Sequence, residues 1–440
     1  MKSIEKFKSF LRTDLGNIIP DDIKNEIGFK YFGNIDLESI IARSMLDDIS
    51  GAIYGLDIDE TLYISDESET MSGKLSLGKD SETYDLSIFY NVRHISLHRN
   101  NNFNILPNSQ YLTSLDIHIS SIPMTFGSMP NLKILDLGSN PLIDKLPEQL
   151  YSLEKLVITR CPILIINQDL PNLTSLKVID SLEILPSSTT LIKLDLYLDT
   201  KIKDLPDFPN LITLNLMRSV VESIPYSLVR LQKLNIKRNN KITSIPDTMT
   251  DLRILNFASF DSPITDIPKS LQNIEMLSIG SNISDITHLS PKLRYLDMYV
   301  NDKITDIPSF LTNLQYLEIG SKINYIPDTL VNLKEFNTGK SRRFDIEGLP
   351  YLPNLEIIKF GHFNDYSNSI TLNDNIPNLK KIIFTRNIEG SQAFETIFDT
   401  IEDRDVELIV YDDEEDFYYE IKVYNENPTI FSDDFMYAFD

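Results

Sequence analysis

Three of the five histidines in the chain lie near one another in sequence, close to two aspartates. His94 and His98 belong to one short segment of alternating apolar residues, Asp116 and His118 to the next, and Asp136 to a third. Imidazole nitrogens and carboxylate oxygens together can bind a transition metal. The same groups can instead form an ordinary polar or pH-sensitive contact patch. Because nothing in the sequence fixes the histidine tautomers, we favour the contact patch and predict no metal and no other cofactor.

A repeated strand pattern predicts how these side chains are positioned. Between Leu132 and Asn140, Leu135 and Leu137 alternate with polar residues, so a strand here would place its leucines on one face and Asp136 on the other. Adjacent strands lie about 4.8 Å apart, so exposed residues at matching positions would be neighbours. The pattern predicts fifteen strands, at Ile95/Leu97, Leu115/Ile117, Leu135/Leu137, Leu156/Ile158, Leu176/Val178, Leu194/Leu196, Leu214/Leu216, Leu234/Ile236, Leu255/Phe257, Leu277/Ile279, Leu296/Met298, Leu317/Ile319, Phe336/Thr338, Ile358/Phe360 and Ile382/Phe384.

The spacing of the repeats limits what can connect these strands. Successive strands start about 20.5 residues apart, which leaves little room for a full helix in each unit. An apolar-proline pair such as Ile224-Pro225 or Ile245-Pro246 recurs after the strands and would fix the angle at which each coil returns to the core. Asn140, Asn239 and Cys161 occupy one shared turn position, where we expect a structural role.

These repeats resemble those of leucine-rich-repeat proteins over residues 92–388, in about 15 units. Their short Ile/Leu-Pro form is similar to that of leucine-rich signalling scaffolds and secreted bacterial effectors, and the Ile-, Asn-, Asp- and Lys-rich composition suggests an AT-rich genome, such as that of a large virus. The resemblance implies an α/β solenoid, a horseshoe with a parallel β-sheet on its concave side and turns or 3₁₀ segments on its convex side. A helical N-terminal module and a mixed C-terminal cap would complete it.

The pattern of apolar and capping residues in the N-terminal segment, residues 1–50, predicts amphipathic helices. It resembles the F-box, which docks substrate receptors on the adaptor subunit of cullin ubiquitin ligases, although Gly28 and the lack of tryptophan depart from that family. The alternative is a simple helical cap on the first coil. The resemblance implies that adaptor binding would involve Ile19, Pro20, Ile23, Ile27, Tyr31 and Leu37.

Two further segments flank the repeats. Residues 51–91 are irregular and could form degenerate first coils, with strand-like pieces at 61–64 and 74–77. Residues 389–440 form an acidic segment that predicts a hairpin, at 406–411 and 417–423, and a cap on the last coil. An alternative is that this acidic, aromatic-rich tail binds a basic partner.

The predicted concave face carries tyrosines among acidic and amide side chains. Tyrosine contributes a large contact area at a small entropic cost, so this composition favours protein binding over a merely solvated surface. Met217 and Asn256 also lie on this face. The residues predicted to bind a partner are Asp195, Tyr197, Asn215, Asn235, Tyr295, Asp297, Tyr299, Tyr316 and Glu318.

Composition narrows the function further. A net charge of −24 argues against nucleic acid and favours a neutral or basic protein partner. The sequence contains no apolar run long enough to predict a membrane segment or a signal peptide. The single cysteine predicts a reducing compartment, which would be the cytoplasm, or the cytoplasm of a host if the protein is viral or secreted. No catalytic motif is evident. We therefore predict a non-enzymatic interaction scaffold, with an F-box-type substrate receptor as the alternative.

Overall fold

A computed structural model describes most of the repeat region and selected segments around it. The described residues are 61–65, 74–75, 93–98, 105–106, 108–118, 125–163, 165–166, 169–180, 182–198, 201–341, 344, 346–361, 374–384, 396–397, 401 and 406–410. Residues 1–50, with the predicted F-box-like module, lie outside this set, as do the second half of the predicted C-terminal hairpin and most of the acidic cap.

Within the described ranges, all fifteen strands predicted from the alternating leucines are present, together with five others. The strands are β1 (Thr61–Ser65), β2 (Lys74–Leu75), β3 (His94–His98), β4 (Ile105–Leu106), β5 (Ser114–His118), β6 (Thr125–Phe126), β7 (Ile134–Leu137), β8 (Lys155–Thr159), β9 (Ser175–Ile179), β10 (Lys193–Tyr197), β11 (Thr213–Asn215), β12 (Lys233–Asn235), β13 (Ile254–Asn256), β14 (Met276–Ser278), β15 (Tyr295–Asp297), β16 (Tyr316–Glu318), β17 (Glu335–Asn337), β18 (Ile357–Phe360), β19 (Lys381–Phe384) and β20 (Glu407–Val410).

The chain divides into two compact units. The first comprises residues 1–192 and 199–201, and the second residues 193–198 and 202–440. In the first unit β1, β3, β5, β7, β8 and β9 pair successively in parallel, β2 pairs with β1, and β4 and β6 form a separate parallel pair. Residues 61–65, within the segment predicted as irregular coils, thus join the same ladder as the regular repeats.

In the second unit every strand from β10 to β20 pairs in parallel with the next. Glu407–Val410 lies beyond residue 388, and its parallel pairing with β19 continues the ladder into the segment predicted as a cap. The register is constant, since Leu214, Leu234 and Leu255 occupy equivalent positions on successive strands. Side chains at one strand position therefore form columns across the sheet.

The core lies on the inner face of these strands. The apolar strand residues are fully buried, as Leu135, Leu214 and Leu317 illustrate with 0% exposure. The residues before the turn prolines also enter the core, and Ile224 and Ile267 are 5% and 1% exposed. Truncating one such leucine to alanine removes contacts shared by neighbouring coils and costs about 2–5 kcal/mol of stability. The stacked coils thus share one continuous core within each unit.

The predicted asparagine position holds adjacent coils together. Asn301 occupies this position, three residues after Met298. Its Nδ2 donates to the Gly280 and Ile283 carbonyls, both at 2.9 Å, while its Oδ1 accepts from the amide nitrogens of Lys303 and Ile304. Cys161 occupies the equivalent site, buried to 3% exposure, with its sulfur 3.5 Å from the Leu137 carbonyl. Burial raises the pKa of this thiol to about 11, which fits a structural role rather than a reactive one.

A second series of asparagines, which the sequence analysis did not identify, ties the turns before the strands. Each donates its amide to a carbonyl about one coil earlier in the chain, as Asn313 Nδ2 does to Pro291 at 2.9 Å. The same bond is made by Asn131, Asn172, Asn273, Asn332, Asn354 and Asn378. These bonds satisfy turn carbonyls just before the strands.

Turns and extended segments form the rest of each coil. Within the described part of the chain, helical residues occur only at Thr396, Ile397 and Ile401, in agreement with the non-helical convex side predicted from the repeat length. No helix in the described ranges is both long and apolar enough to cross a membrane.

Candidate functional site

Three polar side chains converge on the exposed face of the first unit. They are Asp116 and His118 of β5 and Asp136 of β7, here called the histidine–aspartate cluster. His118 Nε2 lies 2.6 Å from Asp116 Oδ1 and 3.5 Å from Asp136 Oδ1. The side chains of His118, Asp116 and Asp136 are 35%, 34% and 30% exposed, although the Oδ1 atoms of both aspartates are buried. The structure thus brings together three of the residues singled out in the sequence.

A glycine leaves room for the imidazole. Gly138 follows β7 on the coil next to His118, and a Cβ atom placed there would collide with Nδ1, Cγ and Cε1 of the ring. The glycine N–H donates to the Ile117 carbonyl at 2.8 Å, which holds the two coils close together. His118 is therefore held over Gly138, with its Nε2 directed at the two carboxylates.

The electrostatics of this cluster follow from the same contacts. The hydrogen bond to Asp116 raises the pKa of His118, and the charges of both aspartates add to this against the opposing effect of burial. Burial and the charge of Asp116 raise the pKa of Asp136, whereas His118, Lys155 and Lys177 act in the opposite direction.

The other two histidines of the sequence pattern belong to β3. His98 is the register partner of His118, and His94 that of Ser114. Their backbones therefore lie where the strand pattern predicted them. The positions of their side chains lie outside the described part of the structure.

The second unit carries a cluster of tyrosines and carboxylates. Tyr295, Asp297, Tyr299, Tyr316 and Glu318, here called the tyrosine–carboxylate patch, occupy β15 and β16 and the turn after β15. The rings of Tyr295 and Tyr316 stack at 4.1 Å with an interplanar angle of 4°. Tyr316 donates its hydroxyl to Glu318 Oε2 at 3.0 Å. Asp297 Oδ1 accepts the Tyr299 amide at 2.9 Å.

Removal from water dominates the chemistry of these carboxylates. Burial raises the pKa of Glu318 to about 8, and the negative charge of Asp297 adds to the effect. Burial also raises the pKa of Asp297, against a lowering contribution from the Tyr299 amide. The pKa of each stacked tyrosine is raised for the same reason. Both carboxylates therefore hold a proton more readily than they would in water.

Two residues not identified from the sequence extend this patch. Phe260 is 56% exposed and packs edge-on against Tyr299, with ring centroids 6.5 Å apart. Lys340 Nζ lies 3.8 Å from the Phe260 ring centroid and 4.7 Å from that of Tyr299. The sequence signal was a large aromatic in the polar turn 259–262, outside the strand pattern.

Three of the remaining residues predicted to bind a partner are enclosed, as Tyr316 of the patch also is at 6% exposure. Asp195, Asn215 and Asn235 are 4%, 2% and 7% exposed. Asn215 Nδ2 donates to the Tyr197 hydroxyl at 2.5 Å, while the Oδ1 atoms of Asn215 and Asn235 accept the amides of Met217 and Lys237. These side chains stabilise the coil and offer a partner little surface.

The adaptor-binding set predicted for the N-terminal segment lies outside the described residues. Its members are Ile19, Pro20, Ile23, Ile27, Tyr31 and Leu37. Their assignment stays a prediction from sequence.

Comparison with known proteins identifies the fold. No protein-family model matches the chain, and no curated protein matches it by sequence. A leucine-rich-repeat protein of Leptospira interrogans superposes with a TM-score of 0.52 at 19% identity, covering 75% of this chain and 99% of that one. YopM of Yersinia enterocolitica gives a TM-score of 0.41 at 17% identity, over 67% and 75% of the two chains. The parallel ladder and the first of these similarities show that the chain has a leucine-rich-repeat solenoid fold.

Proposed function

We propose that the protein is a non-enzymatic scaffold of the cytoplasm that binds a neutral or basic protein partner through the tyrosine–carboxylate patch. The observation that supports this most strongly is the stacked Tyr295–Tyr316 pair, which is fixed next to two carboxylates on a rigid parallel sheet. A surface organised before binding loses little conformational entropy when a partner docks.

The chemistry of the patch favours a partner with lysine or arginine side chains. Glu318 and Asp297 lie partly out of water beside the tyrosine rings, and a cation brought against them would stabilise their ionised forms. The rings of Tyr299 and Phe260 contact the ammonium group of Lys340, a cation–π arrangement that supports a cationic partner at this surface. A net charge of −24 adds a long-range attraction for basic proteins.

The proposal can be tested by selecting peptides from a random display library on the immobilised full chain. The affinities of the selected peptides would then be measured by fluorescence anisotropy for the wild type and for Phe260→Ser and Tyr299→Ala. We expect basic and aromatic peptides whose affinity falls about tenfold or more in both variants, because exposed aromatics commonly dominate binding energy.

Tyr226→Ala provides the matched control. Tyr226 lies in the same unit and is 65% exposed, but it is not part of the patch. Its replacement should leave the affinity of the selected peptides unchanged. Equal affinities for all three variants and the wild type would show that the partner surface is elsewhere.

A further inference from the structure

In the histidine–aspartate cluster of the first unit, one shared proton cannot bridge all three polar side chains. His118 presents one ring nitrogen, Nε2, to carboxylate oxygens from two different strands. A single N–H can make one short hydrogen bond, which is the 2.6 Å contact with Asp116. The Asp136 oxygen then stays 3.5 Å away. One nitrogen and two oxygens facing one point are the donor set of a metal site.

We propose that Asp116, His118 and Asp136 form a binding site for a divalent transition-metal ion of the zinc type. The three candidate ligand atoms lie within 4.8 Å of one another. Zinc binds imidazole nitrogen and carboxylate oxygen at about 2.0–2.2 Å, which places neighbouring ligands roughly 3.4 Å apart in a tetrahedral site. Small side-chain rotations would therefore bring all three atoms into coordination.

The surrounding structure supports this assignment. Gly138 clears the space that the imidazole needs to direct Nε2 between the two carboxylates. The ligands belong to β5 and β7, which pair directly, so their separation is fixed by the sheet. The Oδ1 atoms of both aspartates are buried, while their side chains as a whole are about one-third exposed, so a bound ion would lie near the surface with its carboxylate ligands shielded from solvent. The opposing charges of Lys155 and Lys177 near Asp136 would moderate the affinity.

The contrasting pair His288 and Asp285 shows what an ordinary contact looks like in the same fold. His288 Nδ1 lies 3.6 Å from Asp285 Oδ2, and its Nε2 lies 2.7 Å from the Ile267 carbonyl oxygen. Here one carboxylate faces one nitrogen and the backbone engages the other. No second carboxylate is part of this pair. Its aspartate therefore provides a matched control.

A titration of the full chain with Co²⁺ after chelator treatment tests the proposal. Ligand-field absorption bands in the visible region report coordination directly, and competition with Zn²⁺ then gives the zinc affinity. We expect saturable binding with a Kd below about 1 mM, weakened about tenfold or more by His118→Asn and by Asp136→Asn. Asp285→Asn should bind as the wild type does.

The Gly138→Ala variant distinguishes loss of metal coordination from a general effect of removing polar side chains. This variant keeps all three ligands, but its methyl group would displace the imidazole ring. It should also weaken Co²⁺ binding about tenfold while the circular dichroism spectrum stays that of the wild type. Wild-type binding weaker than about 1 mM, or equal affinity in Asp136→Asn and the wild type, would overturn the proposal.

Discussion

The two polar clusters use carboxylates at the same strand position, yet their environments differ. In the first unit, Asp116 of β5 and Asp136 of β7 each lie between two buried apolar residues. In the second unit, Asp297 and Glu318 stand at the equivalent positions, at the ends of β15 and β16. In the first unit the neighbouring position holds His118, and the carboxylates stay about one-third exposed. In the second unit a stacked tyrosine stands two residues before each carboxylate, whereas His118 stands two residues after Asp116.

This difference shows that the flanking columns determine what a carboxylate of the sheet can do. A histidine beside exposed aspartates gives a hydrogen-bonded donor set suited to a cation. Burial beside the tyrosine rings raises the pKa of Glu318 to about 8, and the charge of Asp297 adds to this, whereas the hydrogen bond from Tyr316 acts in the opposite direction. The same backbone therefore supports two kinds of chemistry, and the variants below are designed to break or sharpen that contrast.

The largest expected effect is on stability in the tyrosine–carboxylate patch. Tyr316 is 6% exposed and stacks on Tyr295, so Tyr316→Ala should lower the unfolding free energy by about 3 kcal/mol or more. His118→Asn, at a one-third-exposed site, should cost about 1 kcal/mol or less. Urea unfolding followed by circular dichroism measures both. Similar losses in the two variants would contradict the contrast, and Tyr316→Phe serves as the control that keeps the ring.

A smaller effect is expected in the pH dependence of stability. The pKa of Glu318 is about 8 in the folded chain and about 4.3 when unfolded, so the folded state holds the extra proton between these values. Stability should therefore fall as the pH rises from about 5 to about 8. Glu318→Gln should flatten this part of the profile. An unchanged slope in the variant would show that Glu318 titrates normally.

The smallest effect concerns His118 in chelator-treated protein. Its pKa is raised above the ordinary value of 6.5, chiefly by the hydrogen bond to Asp116, so the pair stabilises the fold below that pH and loses this contribution as the pH rises through the raised pKa. Because both side chains are about one-third exposed, the gain should be below about 1 kcal/mol. An NMR titration of the histidine ring protons gives the pKa directly. Asp116→Asn should lower it, and no change would exclude the pairing.

The sequence was sufficient for the ladder because each strand carries its own signal. Leu214 and Leu216 alternate with polar residues in the same way as every other pair, and a constant register then fixes which exposed residues are neighbours. The proximity of Asp116, His118 and Asp136 could be predicted for this reason. The tyrosines of β15 and β16 were placed side by side by the same argument.

Features of the turns could not be predicted in this way. Phe260 and Lys340 meet because of how two turns fold, and the strand period carries no information about that geometry. The burial of Asn215 also depends on local bonding, since its amide contacts the Tyr197 hydroxyl and its carbonyl oxygen accepts a turn amide. A polar residue on the exposed face of a strand pattern can thus be enclosed by its neighbours.

The most direct test of the proposed binding surface is the pH dependence of peptide affinity. A basic peptide selected on the full chain would be titrated against the wild type and Glu318→Gln at about pH 6 and about pH 9, on either side of the Glu318 pKa of about 8. The affinity of the wild type should rise with pH as Glu318 ionises, and that of the variant should change much less. An identical rise in both proteins would contradict a role for this carboxylate in recognising a cationic partner.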